Sequence, residues 1–311
     1  MSKTEVTHTI TVPAGADAVY RVVSDVGLWP LYFPPTLRAE RVSGDDREER
    51  IRIWAMANDE IRTWESRRRL RPEAHRVEFE QATPTDPVAE MGGAWSVTEH
   101  GDGTSTVVLD HFYRATGDDP AQLARIARAV EDNSTSELEH LRRAVERGEN
   151  ERELLLDFSD SLTIRGSLKD TYDFLYDVRH WPDRIPHVLR IGLREDVEGL
   201  QHMEMDTRSP DGSVHTTVSG RVCEPQKRIA YKQVKLPPVL QAHNGEWLFT
   251  SPADGVVEVT SRHRVILDPE GIAALPNPPA SLEAARKAVR DSLGANSRAT
   301  LARAQEYVEA R

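Results

Sequence analysis

Residues 61–70, IRTWESRRRL, place a serine and an arginine where a strand could present both to one space. Alternate side chains of a strand share a face, so Arg62, Trp64, Ser66, Arg68 and Leu70 stand together. Trp64 and Leu70 mark that face as inward. An inward guanidinium is costly unless it is paired or meets a wet pocket. A structural salt bridge and an arginine turned outward are the alternatives to a pocket. Residues 213–222, SVHTTVSGRV, repeat the spacing with Ser219 and Arg221. Here alternation reads the other way: Val214, Val218 and Val222 form the apolar face, and Arg221 points to solvent. His111 and His263 could each move a proton near neutral pH, or sit as structural residues. Trp29 and Trp181 are core anchors or pocket walls.

These residues recur because the chain states itself twice. DVGLWPLYFPPTLR (25–38) matches DVRHWPDRIPHVLR (177–190) at seven of fourteen positions, at an offset of 152. The same offset aligns residues 92–111 with 244–263, sharing Gly93/Gly245, Trp95/Trp247 and His111/His263. Near the ends the offset grows to 163, with the extra residues in the Pro-rich LPNPPA stretch. A repeat of this length means two complete domains rather than a solenoid. The expected domains are 1–148 and 149–311, divided in the charged RGENERE segment (147–153).

Within one copy, THTITV (7–12) alternates as a strand, and residues 15–25 have helical spacing that Trp29-Pro30 ends. Alternating segments punctuated by SGDD, RPEA and HGDG follow to about residue 113 and read as antiparallel strands. Residues 118–148 form one long amphipathic helix, with Leu123, Ile126, Ala127, Val130, Leu138, Leu141 and Val145 near one stripe. A curved sheet closed by that helix would enclose a cavity.

Composition narrows the function. A net charge of −11 argues against a general nucleic-acid binder, with RRRLR (67–71) as a local basic patch. No apolar run reaches the roughly 18 residues of a membrane helix, and MSKTEVTHTI has no stretch fit for a signal peptide. A single cysteine, Cys223, allows no internal disulfide and no cysteine-based zinc site. No metal-ligand spacing, Gly-rich phosphate loop or Gly-x-Ser-x-Gly elbow is present, so no metal and no cofactor are expected. A cytoplasmic protein is the simplest reading.

The element order resembles the helix-grip fold of the START and pollen-allergen superfamily. LWPLYFP (28–34), TWESRRR (63–69), WSVTEHGDGT (95–104) and DNSTSELEHLR (132–142) look like the aromatase/cyclases of bacterial type II polyketide synthases, and the tandem copies look like their di-domain branch. That resemblance implies an α+β fold of two tandem helix-grip domains, each a curved antiparallel sheet wrapped on a long C-terminal helix. It implies closure of a first ring between C7 and C12 of a poly-β-ketone, with dehydration, while an acyl carrier protein holds the chain. It implies partners among the other synthase subunits, and neither nucleic acid nor membrane. Ser66 and Arg68 align with the family's pocket residues: Arg68 would stabilise the enolate or alkoxide and Ser66 a substrate oxygen. His111 would carry the proton of dehydration. Trp29, Tyr32, Phe33, Trp64 and Trp95 would be walls. Ser219, Arg221, His263, Trp181 and Trp247 are the second-domain equivalents, with Arg221 turned inward against its alternation. Thr36 and Val188 stand where single-domain relatives carry a tyrosine, a departure that leaves the general acid unassigned, with Tyr32 as one candidate. The richer aromatic lining favours the first copy as the main site. A non-catalytic carrier of an apolar ligand is the alternative reading.

Overall fold

The computed structural model describes residues 3–57, 60–148, 151–208 and 212–311. Apart from the hairpin tip 56–61, the chain divides into two compact units that meet in sequence at 149/150. Residues 149 and 150, where the expected boundary falls, lie outside the described residues.

The first unit runs β1 (Thr4–Val12), α1 (Ala16–Ser24), α2 (Trp29–Tyr32), β2 (Thr36–Gly44), β3 (Glu48–Ala57), β4 (Glu60–Arg71), β5 (Arg76–Gln81), β6 (Val88–Glu99), β7 (Ser105–Ala115) and α3 (Pro120–Glu146). The second runs α4 (Glu151–Leu154), β8 (Leu155–Arg165), α5 (Leu168–Tyr176), α6 (Trp181–Arg184), β9 (Val188–Val197), β10 (Leu200–Arg208), β11 (Val214–Glu224), β12 (Arg228–Lys235), β13 (Leu240–Ala253), β14 (Val256–Leu267), α7 (Pro269–Ala273) and α8 (Leu282–Glu309). Each unit is one seven-stranded sheet of the same order, β1-β7-β6-β5-β4-β3-β2 and β8-β14-β13-β12-β11-β10-β9. The long helix α3 packs on β7 and β1, and α8 packs on β8 and β14. This is the helix-grip arrangement in both halves.

Local chemistry explains the helix boundaries. α1 buries Ala16, Val19, Val22 and Val23, one face of a helical period. Trp29-Pro30 opens a short helix instead of ending one, because proline lacks only an amide hydrogen that a first turn leaves unused. The Asp119 carboxylate accepts from the Ala121 amide and starts α3, and Ser281 does the same for α8 through Ala284.

Cross-strand pairing lines up the inward side chains in rows. In the first sheet Val6, His111, Gly93, Phe79 and Arg68 follow one another across β1, β7, β6, β5 and β4. In the second sheet the row is Phe158, His263, Gly245, Tyr231 and Arg221. Glycine is required in mid-row. A Cβ on Gly93 would stand 2.8 Å from Phe79 Cζ, and one on Gly245 would stand 2.1 Å from Tyr231 Cζ. Each aromatic ring lies across the bare glycine toward the histidine.

Candidate active site

The two arginines point inward and are anchored. Arg68 is 2% exposed; its Nη2 donates to the carbonyls of Val23 (2.9 Å) and Ser24 (3.1 Å), and its Nη1 stands 3.1 Å from Glu49 Oε1. The guanidinium lies over the Trp29 ring at 5.1 Å. Burial lowers its pKa to about 10, so it stays charged at neutral pH. Arg221 repeats this: it donates to Leu175 O (2.6 Å), Tyr176 O (3.3 Å) and Gln201 Oε1 (2.6 Å), over Trp181 at 5.7 Å. In both units the guanidinium takes up carbonyls that the end of the preceding helix cannot satisfy. The outward placement of Arg221 from alternation is therefore corrected. Residues 219–223 are buried whichever face they occupy, so alternation carries no signal there.

Ser66 is buried and donates to Glu80 O at 3.1 Å. Trp95 is 8% exposed and belongs to the buried core, as do Tyr32, Phe33, Trp181 and Trp247. These five are the expected pocket walls, and each keeps less than a tenth of its surface exposed. Trp29 and Trp64 remain half-buried against Ile51 and Ile53. Arg68 and His111 share a row but sit three strands apart, about 14 Å at the usual interstrand spacing. They do not meet at one reacting atom.

The concave face of the first sheet is incompletely covered, since Trp64, Phe79, Met91 and His111 all keep part of their surface. Ser134 Oγ lies 3.3 Å from His111 Nδ1, and Phe79 meets the imidazole edge-on at 5.4 Å. Burial lowers the His111 pKa to about 4, which leaves the ring neutral and basic. Glu137 is one helical turn beyond Ser134 on α3, inside the arc defined by Ile126, Val130, Ser134 and Leu141. Protein surrounds its carboxyl and pushes the pKa up to about 7, yet the residue is only half-buried. It has no hydrogen bond or ion pair among the described residues. A group that is enclosed, partly accessible and unpartnered lines an internal space. The sequence reading missed Glu137; the signal was a carboxylate within the apolar stripe of the long helix. A groove of about 810 Å³ is lined by Arg50, Arg67, Arg69, Glu48, Glu78 and Glu80 together with Arg68, Phe79, Gly93 and His111 of the row.

The second unit differs at matched positions. Met91 becomes His243, Phe79 becomes Tyr231 and Glu137 becomes Thr300, whose hydroxyl turns back to Asn296 O at 3.0 Å. His243 Nδ1 is 2.9 Å from Gln233 Oε1, and its Nε2 is 3.0 Å from His263 Nδ1. His263 Nε2 is 2.7 Å from Ser297 Oγ. Burial lowers the pKa of His243 to about 3 and of His263 to about 4. The sequence reading had one histidine of this pair and missed the other.

Comparison with known proteins agrees with this duplicated architecture. Residues 3–146 match the family model described as "Polyketide cyclase / dehydrase and lipid transport". The granaticin polyketide synthase bifunctional cyclase/dehydratase of Streptomyces violaceoruber is 41% identical over 303 residues, covering 97% of this chain and 93% of that protein. The di-domain ARO/CYC BexL from the BE-7585A biosynthetic pathway superposes with a TM-score of 0.91 at 47% identity, covering 99% of both chains. The di-domain ARO/CYC StfQ from the steffimycin pathway does so with a TM-score of 0.86 at 33% identity, covering 98% of this chain and 99% of that one.

Proposed function

The chain belongs to the di-domain aromatase/cyclases, the bifunctional cyclase/dehydratases of type II polyketide synthases, and from that premise we propose that its first unit closes the first ring of a carrier-bound poly-β-ketone between C7 and C12. The observation that carries this reading is His111 on β7 beside Ser134 of α3, one helical turn from the half-buried and unpartnered Glu137, under an incompletely covered concave face.

Aldol closure needs two proton transfers. A carbon between two carbonyls gives its proton to His111, and its electrons attack the ketone carbon. The resulting alkoxide takes the proton of Glu137. At pH 7 the lowered His111 is neutral, and Glu137, with its pKa raised to about 7, keeps a large share of its acid form. The sequence expectation assigned His111 to dehydration; this reading assigns it to ring closure, with Glu137 one helical turn from its partner Ser134. Holding one folded conformer supplies the regiochemistry, with Trp29, Trp64 and Phe79 as flat surfaces. Arg68 and Ser66 enter as positioning residues, since Arg68 Nη2 is engaged by the Val23 and Ser24 carbonyls and the Ser66 hydroxyl by Glu80 O.

The substrate arrives on an acyl carrier protein in this reading, and the other synthase subunits act before and after. Arginines of α3 and of the 67–71 patch stand beside acids. Arg142 pairs with Glu139 and Glu146 at 2.6 Å each, Arg143 with Glu139 at 3.0 Å, and Arg69 with Glu48 at 3.3 Å. Among the described residues no helix is long and apolar enough to cross a membrane.

The test is reconstitution with a minimal polyketide synthase, with and without a C9 ketoreductase. Wild type is expected to redirect shunt products to one C7–C12 ring. Glu137→Gln keeps the shape and removes the acid, and is expected to slow closure about 100-fold. A wild type that leaves the product mixture unchanged ends the cyclase reading. A Glu137→Gln variant that closes rings at the parental rate removes Glu137 from it.

A further inference from the structure

The second unit carries polar groups where the first manages with Phe79 and Met91. Buried polar networks cost stability unless every member is satisfied, so their chemistry asks for a use. Here the hydrogen bonds have a direction. With Gln233 presenting its oxygen, His243 Nδ1 donates and His243 Nε2 accepts. His263 Nδ1 then donates to His243, and His263 Nε2 accepts from the Ser297 hydroxyl. Tyr231 Oη is 3.4 Å from the same His263 Nδ1–H. That Nδ1 hydrogen is already given to His243, so the nitrogen has no lone pair with which to take the phenol's proton. That proton stays uncommitted. On the adjoining strand, Arg221 stands directly opposite Tyr231. Tyr231 is half-buried on the concave face, as are Ile191, Met205, Thr217 and Gln233 around it, so this end of the face is open.

We propose that Tyr231 is the catalytic proton donor of the dehydration step, in a second-unit chamber that takes the hydroxylated ring closed in the first. This rests on the cyclase reading above and assigns its second reaction to a second place. The substrate class is a cyclic β-hydroxy ketone. Tyr231 gives its proton to the departing hydroxyl, and the C–O bond breaks to release water. The electrons of the neighbouring C–H bond become the new C=C bond. That carbon's proton goes to the phenolate oxygen, so the tyrosine ends as it began. During the step the phenolate lies beside the protonated Nδ1 of His263. The proton donor is a weak acid that burial holds protonated, which suits a hydroxide leaving group. His243 and His263 are positioning residues: they fix the tautomer that leaves the phenol's proton unclaimed.

The experiment uses the full chain in the reconstituted synthase, with Tyr231→Phe and His243→Met. Both substitutions install what the first unit has at the same place, and urea midpoints check that each variant is folded. Tyr231→Phe is expected to close rings normally and to dehydrate about 100-fold more slowly, so that a product one water heavier accumulates. His243→Met is expected to slow dehydration less, with the ring-closure rate unchanged. Normal ring closure with parental aromatisation in Tyr231→Phe overturns the proposal and leaves the cyclase reading standing. Loss of ring closure in a folded Tyr231→Phe also overturns it, since the residue would then act earlier. A wild type that closes no ring sinks the broader reading and this one with it.

Discussion

Lowering the pH from 7 to 5 is expected to destabilise the second unit by about 4 kcal/mol while the first changes much less. The sign follows from the histidines. His243 and His263 have folded pKa values of about 3 and about 4, below the unfolded value near 6.5. Between those limits the unfolded chain binds protons that the folded unit refuses. Stability is whole above about pH 6.5 and falls through the window, by roughly 2 kcal/mol per histidine at pH 5. His187, also lowered by burial, adds in the same direction. In the first unit His111 acts alike, with a folded value of about 4. Glu137 opposes it: its raised folded pKa of about 7 gives a contribution that is lost as pH rises through 7 and regained below it. The two offset each other in the first unit, and no such carboxyl serves the second, where Thr300 stands in place of Glu137. Urea denaturation at pH 7 and pH 5, with limited proteolysis to assign each transition, reads the effect. His243→Met should flatten the acid loss of the second unit. Equal midpoints at both pH values, or an unchanged slope in His243→Met, would show that these buried rings do not control acid stability.

The scaffold was legible because duplication doubles every signal. A strand period at 61–70 put Trp64, Ser66, Arg68 and Leu70 on one inward face, and the structure keeps them there. A helical stripe over 118–148 found α3 to within two residues at either end. What escaped depends on partners distant in sequence. Glu49 lies nineteen residues before Arg68 and carried no local mark of its pairing. His243 became visible only once Met91 was known to face inward. Glu137 interrupted an apolar stripe, and a single polar residue there reads as tolerance of a helix edge until the enclosed space is seen. Arg221 failed for a physical reason: alternation reports burial only where one face of a strand meets water, and Arg221 (2% exposed) and Val222 (3%), on opposite faces, are both covered.

Arg68→Ala is expected to cost about 3 kcal/mol of first-unit stability and to abolish ring closure at ordinary temperature. Breaking a buried ion pair typically costs 3–5 kcal/mol, because the remaining charge is stranded. The lower end applies here, since Arg41 Nε still reaches Glu49 Oε2 at 2.7 Å. Two further losses act on function. The Ser24 carbonyl loses its Arg68 donor, the Val23 carbonyl keeps only the longer bond from Trp29 Nε1 (3.3 Å), and Trp29 loses the cation packed on its face. The corner joining α1 to α2, which holds Trp29 beside the chamber, is then free to shift. Arg68→Lys keeps the charge but cannot reach two carbonyls and a carboxylate together, so it should also weaken the unit. The second unit supplies a contrast: Arg221 pairs with the neutral Gln201, so Arg221→Ala strands no directly paired carboxylate and should cost less. Urea midpoints and ring-closure rates measured together separate a positioning role from a catalytic one. If Arg68 acts by holding the corner, activity falls in step with stability, and cooling restores part of both. An Arg68→Ala protein as stable as the parent but unable to close rings would mean that the guanidinium leaves these partners to meet the substrate, and the anchored reading of both arginines would fall.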